Sequence, residues 1–557
     1  MIKPVTTMAA VLMQAGLLAS CTDAGHDDEW FVDETRARGI DFVHHSGQSE
    51  RVMLPEIVSG GVALVDVDND GDLDAYFIQS GRNLGTDPGP QTSGNELFLN
   101  DGDGYFTQAT DTGAAKDVGY GMGVTTGDYD GDGDVDLYVT NYGTNRLLQN
   151  DGAGGFTDVT DEARVGGQEF STATTFADLD VDGDLDLFVV NYVHWSVPVE
   201  RSCFSRGEPT YCSPTAYEAP AIDRLYRNNG DATFTDVTVA SGLSRGFGNG
   251  LGTIAEDFNN DGLIDLFVAN DRTRDQLWIN RGELKFANEA IQRGVAVDDN
   301  GIAKAGMGVA AGDVDFDDDA DLLVVNFEGE SDSFYKNELD YFIDVTARTG
   351  VSLASRRRTR FGVVLTDFNN DGQVDLFEAN GKVDGNPNAP TDAFAEPNAL
   401  FKGSQRDGFI HFQEIDQAGL ATSSVFTSRS AAVGDVNADG RLDLLIVNRD
   451  APAQLLINIT PTHNWIRFDV RNASGAPALG AIVRIAAEGS SRRGVVRSSS
   501  SYLAAHAPRV HFGLNQVTVV EDVTVTWADG SEQAFGEASA GQTYFLRKGS
   551  DRPVPSR

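Results

Sequence analysis

The chain has 557 residues, 85 acidic against 42 basic side chains, a formal charge of −43, 40% hydrophobic residues and 61 glycines. That length exceeds one ordinary core and calls for several domains or a repeat array, while the apolar and glycine content suits a turn-rich globular protein rather than a disordered one. The acidic balance excludes a nucleic-acid partner, which needs a basic surface to displace counterions, and a generally basic, membrane-attracted face.

Residues 1–21 have the layout of a bacterial lipoprotein signal peptide. Lys3 stands near the start, Met8 to Ala19 is mostly apolar, and Leu18-Ala19-Ser20-Cys21 matches a lipobox. The apolar run is too short to span a bilayer as a helix. Cleavage leaves Cys21 as the lipidated N-terminus with 22–30 as a linker; a plain secretory signal with an incidental cysteine is the alternative. Thr22, where an aspartate would favour inner-membrane retention, points to the outer membrane. The expected location is extracytoplasmic: the bacterial cell envelope as an outer-membrane lipoprotein, or secreted. Cys203 and Cys212 lie in a Pro- and Ser-containing insertion, Arg201 to Pro220. In an oxidising compartment they read as a disulfide stapling that loop, since no further Cys or His cluster stands beside them to make a metal site.

The stretch Asp66-Val67-Asp68-Asn69-Asp70-Gly71-Asp72-Leu73-Asp74 recurs with variations, the loops starting at Asp66, Asp128, Asp178, Asp257, Asp313, Asp367 and Asp435. Positions 1, 3, 5 and 9 are Asp66, Asp68, Asp70 and Asp74 in the first loop, Asp128, Asp130, Asp132 and Asp136 in the second, and Asp178, Asp180, Asp182 and Asp186 in the third. The fourth (Asp257, Asn259, Asp261, Asp265), sixth (Asp367, Asn369, Asp371, Asp375) and seventh (Asp435, Asn437, Asp439, Asp443) carry Asn at position 3, and the fifth (Asp313, Asp315, Asp317, Asp321) has Asp318 in place of the Gly at position 6. Side-chain oxygens at 1, 3 and 5, a backbone carbonyl at 7 and a Gly at 6 are the ligand pattern of the first half of an EF-hand loop, so about seven calcium sites are expected. Magnesium, with its strict octahedron and retained waters, fits less well. Ordinary Asp-Gly turns are the bland alternative for any single loop, but carboxylates crowded at fixed spacing seven times repel without a counter-cation.

Unlike an EF-hand, each loop runs into a short apolar strand, often ending in Asn (Asn141, Asn191, Asn270, Asn326, Asn380, Asn448). A second strand carries Leu-x-x-Asn, as at Leu147 to Asn150, and a tight turn leads to Phe-Thr-Asp-Val-Thr at Phe156 and Phe234. Four short strands per unit is the content of a propeller blade. The fold class is therefore all-β: a seven-bladed β-propeller with calcium loops over 31–458, then a small C-terminal β domain, a sandwich or barrel-like module over 459–548, and a frayed tail over 549–557. The last Leu455-to-Asn458 strand lacks a Phe strand of its own, so 31–35 is expected to close the seventh blade and hide both edges. No 3.6-residue apolar period supports a helical solenoid.

These loops, with Leu-x-x-Asn and Phe-Thr-Asp-Val-Thr, resemble FG-GAP/VCBS repeats, the calcium-bearing blades also found in integrin α-chain heads. The stretch from His463-Asn464-Trp465-Ile466 through Gly480-Ala481-Ile482-Val483, Tyr502-Leu503, His511-Phe512-Gly513-Leu514 and Val525-Thr526-Trp527-Ala528-Asp529-Gly530 resembles an ASPIC/UnbV domain. The combination is similar to the cartilage acidic protein family and its bacterial relatives. The resemblance implies a secreted, calcium-loaded propeller with a small C-terminal β domain, of a kind mostly assigned to adhesion or without an assigned function.

Two functions follow. The first is a calcium-binding adhesion or interaction module with a protein or glycan partner, tethered to the membrane through Cys21. The alternative is an enzyme acting on a polysaccharide or natural-product substrate at the propeller mouth or domain interface, for which no nucleophile–base spacing is visible and no catalytic residue is assigned. His44 and His45 with His194 could form a second metal site but read first as structural histidines. Arg356-Arg357-Arg358-Thr359-Arg360 could meet an anionic glycan but reads first as a solvated loop. Tyr192 and Trp195 could stack on a sugar, with core packing as the default.

Overall fold

The computed structural model describes residues 29–49, 51–81, 84, 93–415, 420, 424–461, 463–487, 489–550 and 552–555. The signal segment 1–21, Cys21 included, lies outside them.

Each repeat folds as an antiparallel four-stranded meander. In the second, Gly121–Gly127, Asp136–Asn141, Arg146–Asn150 and Phe156–Asp158 pair in chain order. Equivalent sheets start at Val62–Val65, Ser171–Ala177, Gly250–Glu256, Val309–Gly312, Arg360–Thr366 and Ser428–Gly434. The innermost strands pack in succession around a closed ring, the last against the first. In the seventh sheet the outer strand is Phe31–Asp33, with Phe31 opposite Asn458. Phe31 is fully buried and meets the Phe368 ring edge-on at 5.4 Å. Just beyond this pairing the amide of Ile459 donates to Trp30 O at 2.8 Å, so the chain enters the ring beside the point where it leaves.

The Leu-x-x-Asn asparagines stitch the sheets together. Asn150 Nδ2 donates to Val135 O in its own loop and to Val67 O in the loop of the preceding sheet, at 3.0 and 2.8 Å. Asn100, Asn228, Asn280, Asn337 and Asn458 repeat the bond to the preceding loop, Asn100 reaching Val436 of the seventh. The sixth sheet has Gly403 at this place, and Gln405 Nε2 reaches Val314 O instead, at 2.6 Å. Asparagine suits the place because its amide offers two N–H donors to carbonyls the strands leave unpaired.

The C-terminal region is a sandwich. One sheet is ordered Arg509–Asn515, Asn464–Arg471, Gln542–Arg547, Val554–Pro555; the other Ser490–Val495, Ile482–Ala487, Val519–Thr526, Glu532–Ser539. Ile466, Phe468, Val483, Ile485, Val523 and Leu546 fill the space between them. The expected frayed tail is corrected in part: Val554 and Pro555 pair with Phe545 and Tyr544, an edge position that tolerates a proline lacking an N–H.

The metal-type loops share one face of the ring, and the sandwich sits on it. From there the segment Ser498–His506 enters the central channel. Ala504 and Ala505 pair in parallel with Val62 and Ala63 of the first sheet. Ser501 exchanges both backbone bonds with Val309 and accepts Val363 N on its hydroxyl at 2.8 Å. A side chain on Gly61 would lie 2.0 Å from Leu503 O, so glycine is what lets the plug pass. The channel is filled, not open.

Candidate metal loops and open-face cavity

All seven loops adopt one conformation. Position 6 has φ near +73° to +103° throughout, Asp318 included at +73°. Position 4 is also left-handed, even where it is Val181 or Phe316, at +63° and +65°. In the second to seventh loops the position-1 carboxylate organises the turn, as where Asp128 Oδ1 accepts from Gly131 N and Asp132 N, and Oδ2 from Gly133 N.

Position 9 has a second duty that spacing alone does not reveal. Asp74 is fully buried, its Oδ2 accepting Val67 N at 3.0 Å and its Oδ1 accepting Asn100 N at 2.9 Å. Asp136, Asp186, Asp265, Asp321, Asp375 and Asp443 make the same two kinds of bond, Gly403 replacing the asparagine in the sixth sheet. This residue ties the loop to the third strand of its sheet and retains only second lone pairs for a cation.

The carboxylates converge. Asp66, Asp68 and Asp70 can each direct an oxygen to within 4.8 Å of the others, as can Asp128, Asp130 and Asp136; Asp178, Asp180 and Asp182; and Asp313, Asp315 and Asp317. The fourth, sixth and seventh loops hold an amide at position 3, where Asn259, Asn369 and Asn437 donate to the position-5 carboxylates Asp261, Asp371 and Asp439 at 3.0 to 3.1 Å. Asp66 Oδ1, Asp68 Oδ1, Asp180 Oδ1 and Asp315 Oδ1 are buried acceptors without a protein donor, which is the ligand set a hard cation would take. So are Asp72 Oδ1, Asp319 Oδ1 and Gln373 Oε1 at position 7, where only a backbone carbonyl was expected. Burial pushes Asp66 up to about 6 against the opposing pull of Arg509 and Arg471, and burial with the neighbouring aspartates pushes Asp72 to about 7. A cation would reverse both penalties. These aspartate clusters can hold metal ions.

The loops are not equivalent. In the fifth, Lys336 Nζ already sits 2.5 Å from both Asp315 and Asp317. In the sixth Lys402 contacts Asp371 at 2.9 Å, and in the seventh Arg467 contacts Asp435 at 2.7 Å. Asp318 turns its carboxylate to Arg484 of the sandwich at 2.9 Å, which gives that non-glycine residue a role.

The opposite face is open and carries a cavity of about 330 Å³ at the channel end. Tyr502 of the plug forms part of its wall, with Ile57, Tyr192, Met307, Phe327 and Phe361. Its charged groups are Asp271, Arg272 and Asp384. Tyr192 Oη donates to Asp271 Oδ2 at 2.8 Å, and burial pushes Asp271 up to about 6. Cys203 and Cys212 are disulfide-bonded, closing the hairpin of Cys203–Ser205 and Glu208–Thr210. From the third sheet this hairpin reaches the sixth, where Ser205 Oγ donates to Asp384 Oδ2 at 3.1 Å. Phe204 on its first strand is 66% exposed, a large apolar group offered to solvent.

Other candidates take structural places. His44 is buried while His45 and His194 are exposed, and no carboxylate cluster among the described residues includes a histidine. His44 Nδ1 accepts Asp450 N, so Nε2 carries the proton toward Ser80 Oγ; His506 accepts Val433 N and faces Ser500 likewise. Neither imidazole can act as a base toward its serine. The arginine run is split: Arg360 is fully buried on Asp332 at 2.8 Å and Arg358 holds Glu414, while Arg356 and Arg357 are exposed. Trp195 is core, donating to Glu200 at 2.9 Å; Tyr192 alone of that pair reaches the cavity. Asp271, Arg272 and Asp384 carried no motif, because a channel mouth is assembled from loops far apart in sequence.

Residues 66–139, 128–189 and 257–324 match the FG-GAP-like repeat, and residues 471–553 match ASPIC and UnbV. The protein is thus a propeller of FG-GAP-like repeats joined to an ASPIC and UnbV domain, a combination that suggests an interaction module. It is similar to cartilage acidic protein 1: 28% identical to the Xenopus tropicalis protein over 311 residues (54% of this chain, 45% of that protein) and 27% identical to the Homo sapiens protein over 320 residues (56% and 46%). The chain spans about half the length of these relatives. Among solved structures it is similar to an Agrocybe aegerita lectin that recognises non-reducing terminal N-acetylglucosamine, with TM-score 0.39 and 14% identity over 75% of this chain and 88% of that one. YCF48 bound to D1 peptide gives TM-score 0.37 and 9% identity over 71% and 92%.

Proposed function

We propose that this protein is a calcium-loaded, extracytoplasmic interaction module, lipid-anchored at Cys21, that binds a protein or glycan through the open face of its propeller. The observation that carries the reading is the division of labour between the two faces. The acidic loops face the sandwich, whereas the cavity with Asp271, Arg272 and the exposed Phe204 faces solvent. An apolar pocket with a few converging polar groups is the usual form of a ligand site. Calcium suits the loops because it accepts several carboxylate, amide and carbonyl oxygens in flexible geometry. Its role here is to hold the sheets in register, not to touch the ligand.

The test is a glycan array and an envelope-protein pull-down with the purified calcium-loaded chain, repeated with Asp271→Ala, Arg272→Ala and the Cys203→Ser/Cys212→Ser pair. Binding that survives all three unchanged would move the site elsewhere. Turnover of a polysaccharide would overturn the binding role.

A further inference from the structure

Beneath the sandwich, on the face away from the open cavity, lies a second cavity of about 240 Å³. It is bounded by the loop-side ends of the fourth to seventh innermost strands and by Ser490–Val495 and Arg509–Asn515 of the sandwich. Five arginines line it: Arg467, Arg492, Arg493, Arg497 and Arg509. Three already have partners that define the wall. Arg467 holds Asp435, Arg492 Nη1 donates to Gly513 O at 2.6 Å, and Arg509 Nη2 donates to Gly71 O at 2.7 Å.

Arg493 and Arg497 are different. Both rely on one carboxylate, Glu256, which is 1% exposed. Arg493 Nη2 donates to Glu256 Oε1 at 2.9 Å and Arg497 Nη2 to Oε2, while Arg497 Nη1 takes Ala311 O at 2.7 Å. That leaves Arg493 Nε and Nη1 and Arg497 Nε buried without an acceptor, the Arg493 side chain being 2% exposed. A guanidinium cannot shed its charge in a protein, and a buried N–H without a partner is costly, so three donors and a surplus positive charge border the same cavity. The other acids lining it, Asp313, Asp367 and Asp435, are first positions of the metal loops and accept backbone amides there.

We propose that this interdomain cavity binds a tetrahedral oxyanion, phosphate or sulfate, free or as the ester of a small group, through Arg493 and Arg497. Guanidinium donors match oxyanion acceptors in geometry and charge, and the volume exceeds that of a bare anion. Such an anion would meet the unpaired donors of Arg493 and Arg497 and offset the charge that Glu256 alone leaves uncompensated. The site is independent of whatever the open face binds.

Equilibrium dialysis and thermal melts of the full calcium-loaded chain test it, with sodium phosphate and sodium sulfate as separate arms and sodium chloride at matched ionic strength as control. Saturable binding of one anion per chain with a rise in melting temperature is expected in at least one arm, weakened tenfold or more by Arg493→Gln. A preference between the arms distinguishes a phosphate site from a sulfate site. If Arg493→Gln does not fold, Arg497→Gln takes its place, and the wild-type chain alone remains decisive. Absence of saturable binding in both arms, or undiminished binding in a folded variant, overturns the proposal and leaves the arginines as an interdomain clamp.

Discussion

The hydroxyl of Tyr502 donates to the carbonyl oxygen of Val58 at 3.3 Å, which brings a residue of the C-terminal sandwich to the far end of the propeller channel. The plug that carries Tyr502 bonds to the innermost strands of the first, second, fifth and sixth sheets, and His506 at its base reaches the seventh. Sandwich and ring therefore share a core, and they should unfold together.

Gly61→Ala tests that coupling. The added carbon would lie 2.0 Å from Leu503 O, and backbone cannot yield as a side chain would. Overpacking of this kind costs about 1–3 kcal/mol. Calorimetry should show a lowered melt and, as the plug withdraws, two transitions in place of one.

Ring closure rests on three residues. Phe31→Ala removes a fully buried ring packed on Phe368 and should cost about 3–5 kcal/mol. Chemical denaturation would register this, while an unchanged midpoint would mean that the seventh sheet closes without its outer strand.

For the proposed calcium, chelation should lower the melting temperature and added calcium restore it, since one site at a hundredfold its Kd contributes about 2.7 kcal/mol. Lys336→Met frees Asp315 and Asp317 and should strengthen calcium binding at the fifth loop. Calorimetric titration reads both stoichiometry and affinity.

Acid should weaken the fold through His506. Burial, reinforced by Arg497, lowers its pKa to about 4 from 6.5. Between those values the unfolded chain binds a proton that the folded chain refuses, so stability falls as pH drops from 6.5 to about 4 and then levels off. The loss is on the order of 3 kcal/mol. His506→Gln should flatten that part of a pH–stability profile; an unaltered slope would assign the effect to other groups, His44 first, whose burial lowers it in the same direction.

The repeat was legible because its chemistry is local. Nine residues contain the turn, its glycine and most of its oxygens, and Phe31 was identifiable as a spare strand because each unit repeats one grammar. Other features depended on distance in sequence. Gly403 breaks Leu-x-x-Asn, and only the fold shows Gln405 taking over its bond. Position 9 reads as a ligand by spacing, yet its two oxygens hold amides seven residues before it and at the end of the next strand. Tyr502-Leu503 counted toward the resemblance, but nothing local marks Ser499 to Ala505 as a plug, because its partners lie up to several hundred residues away. The same holds for the arginines that meet Glu256.

The contact between Ile459 and Trp30 has a directional consequence. It fixes the start of the folded chain on the face that the sandwich covers. A lipid at the proposed Cys21 anchor would be joined there by a leash of under ten residues, spanning about 30 Å at full stretch. On that proposed anchor, membrane and sandwich would lie to the same side, and Phe204 with the disulfide hairpin would point away from the bilayer, toward whatever arrives from the aqueous side.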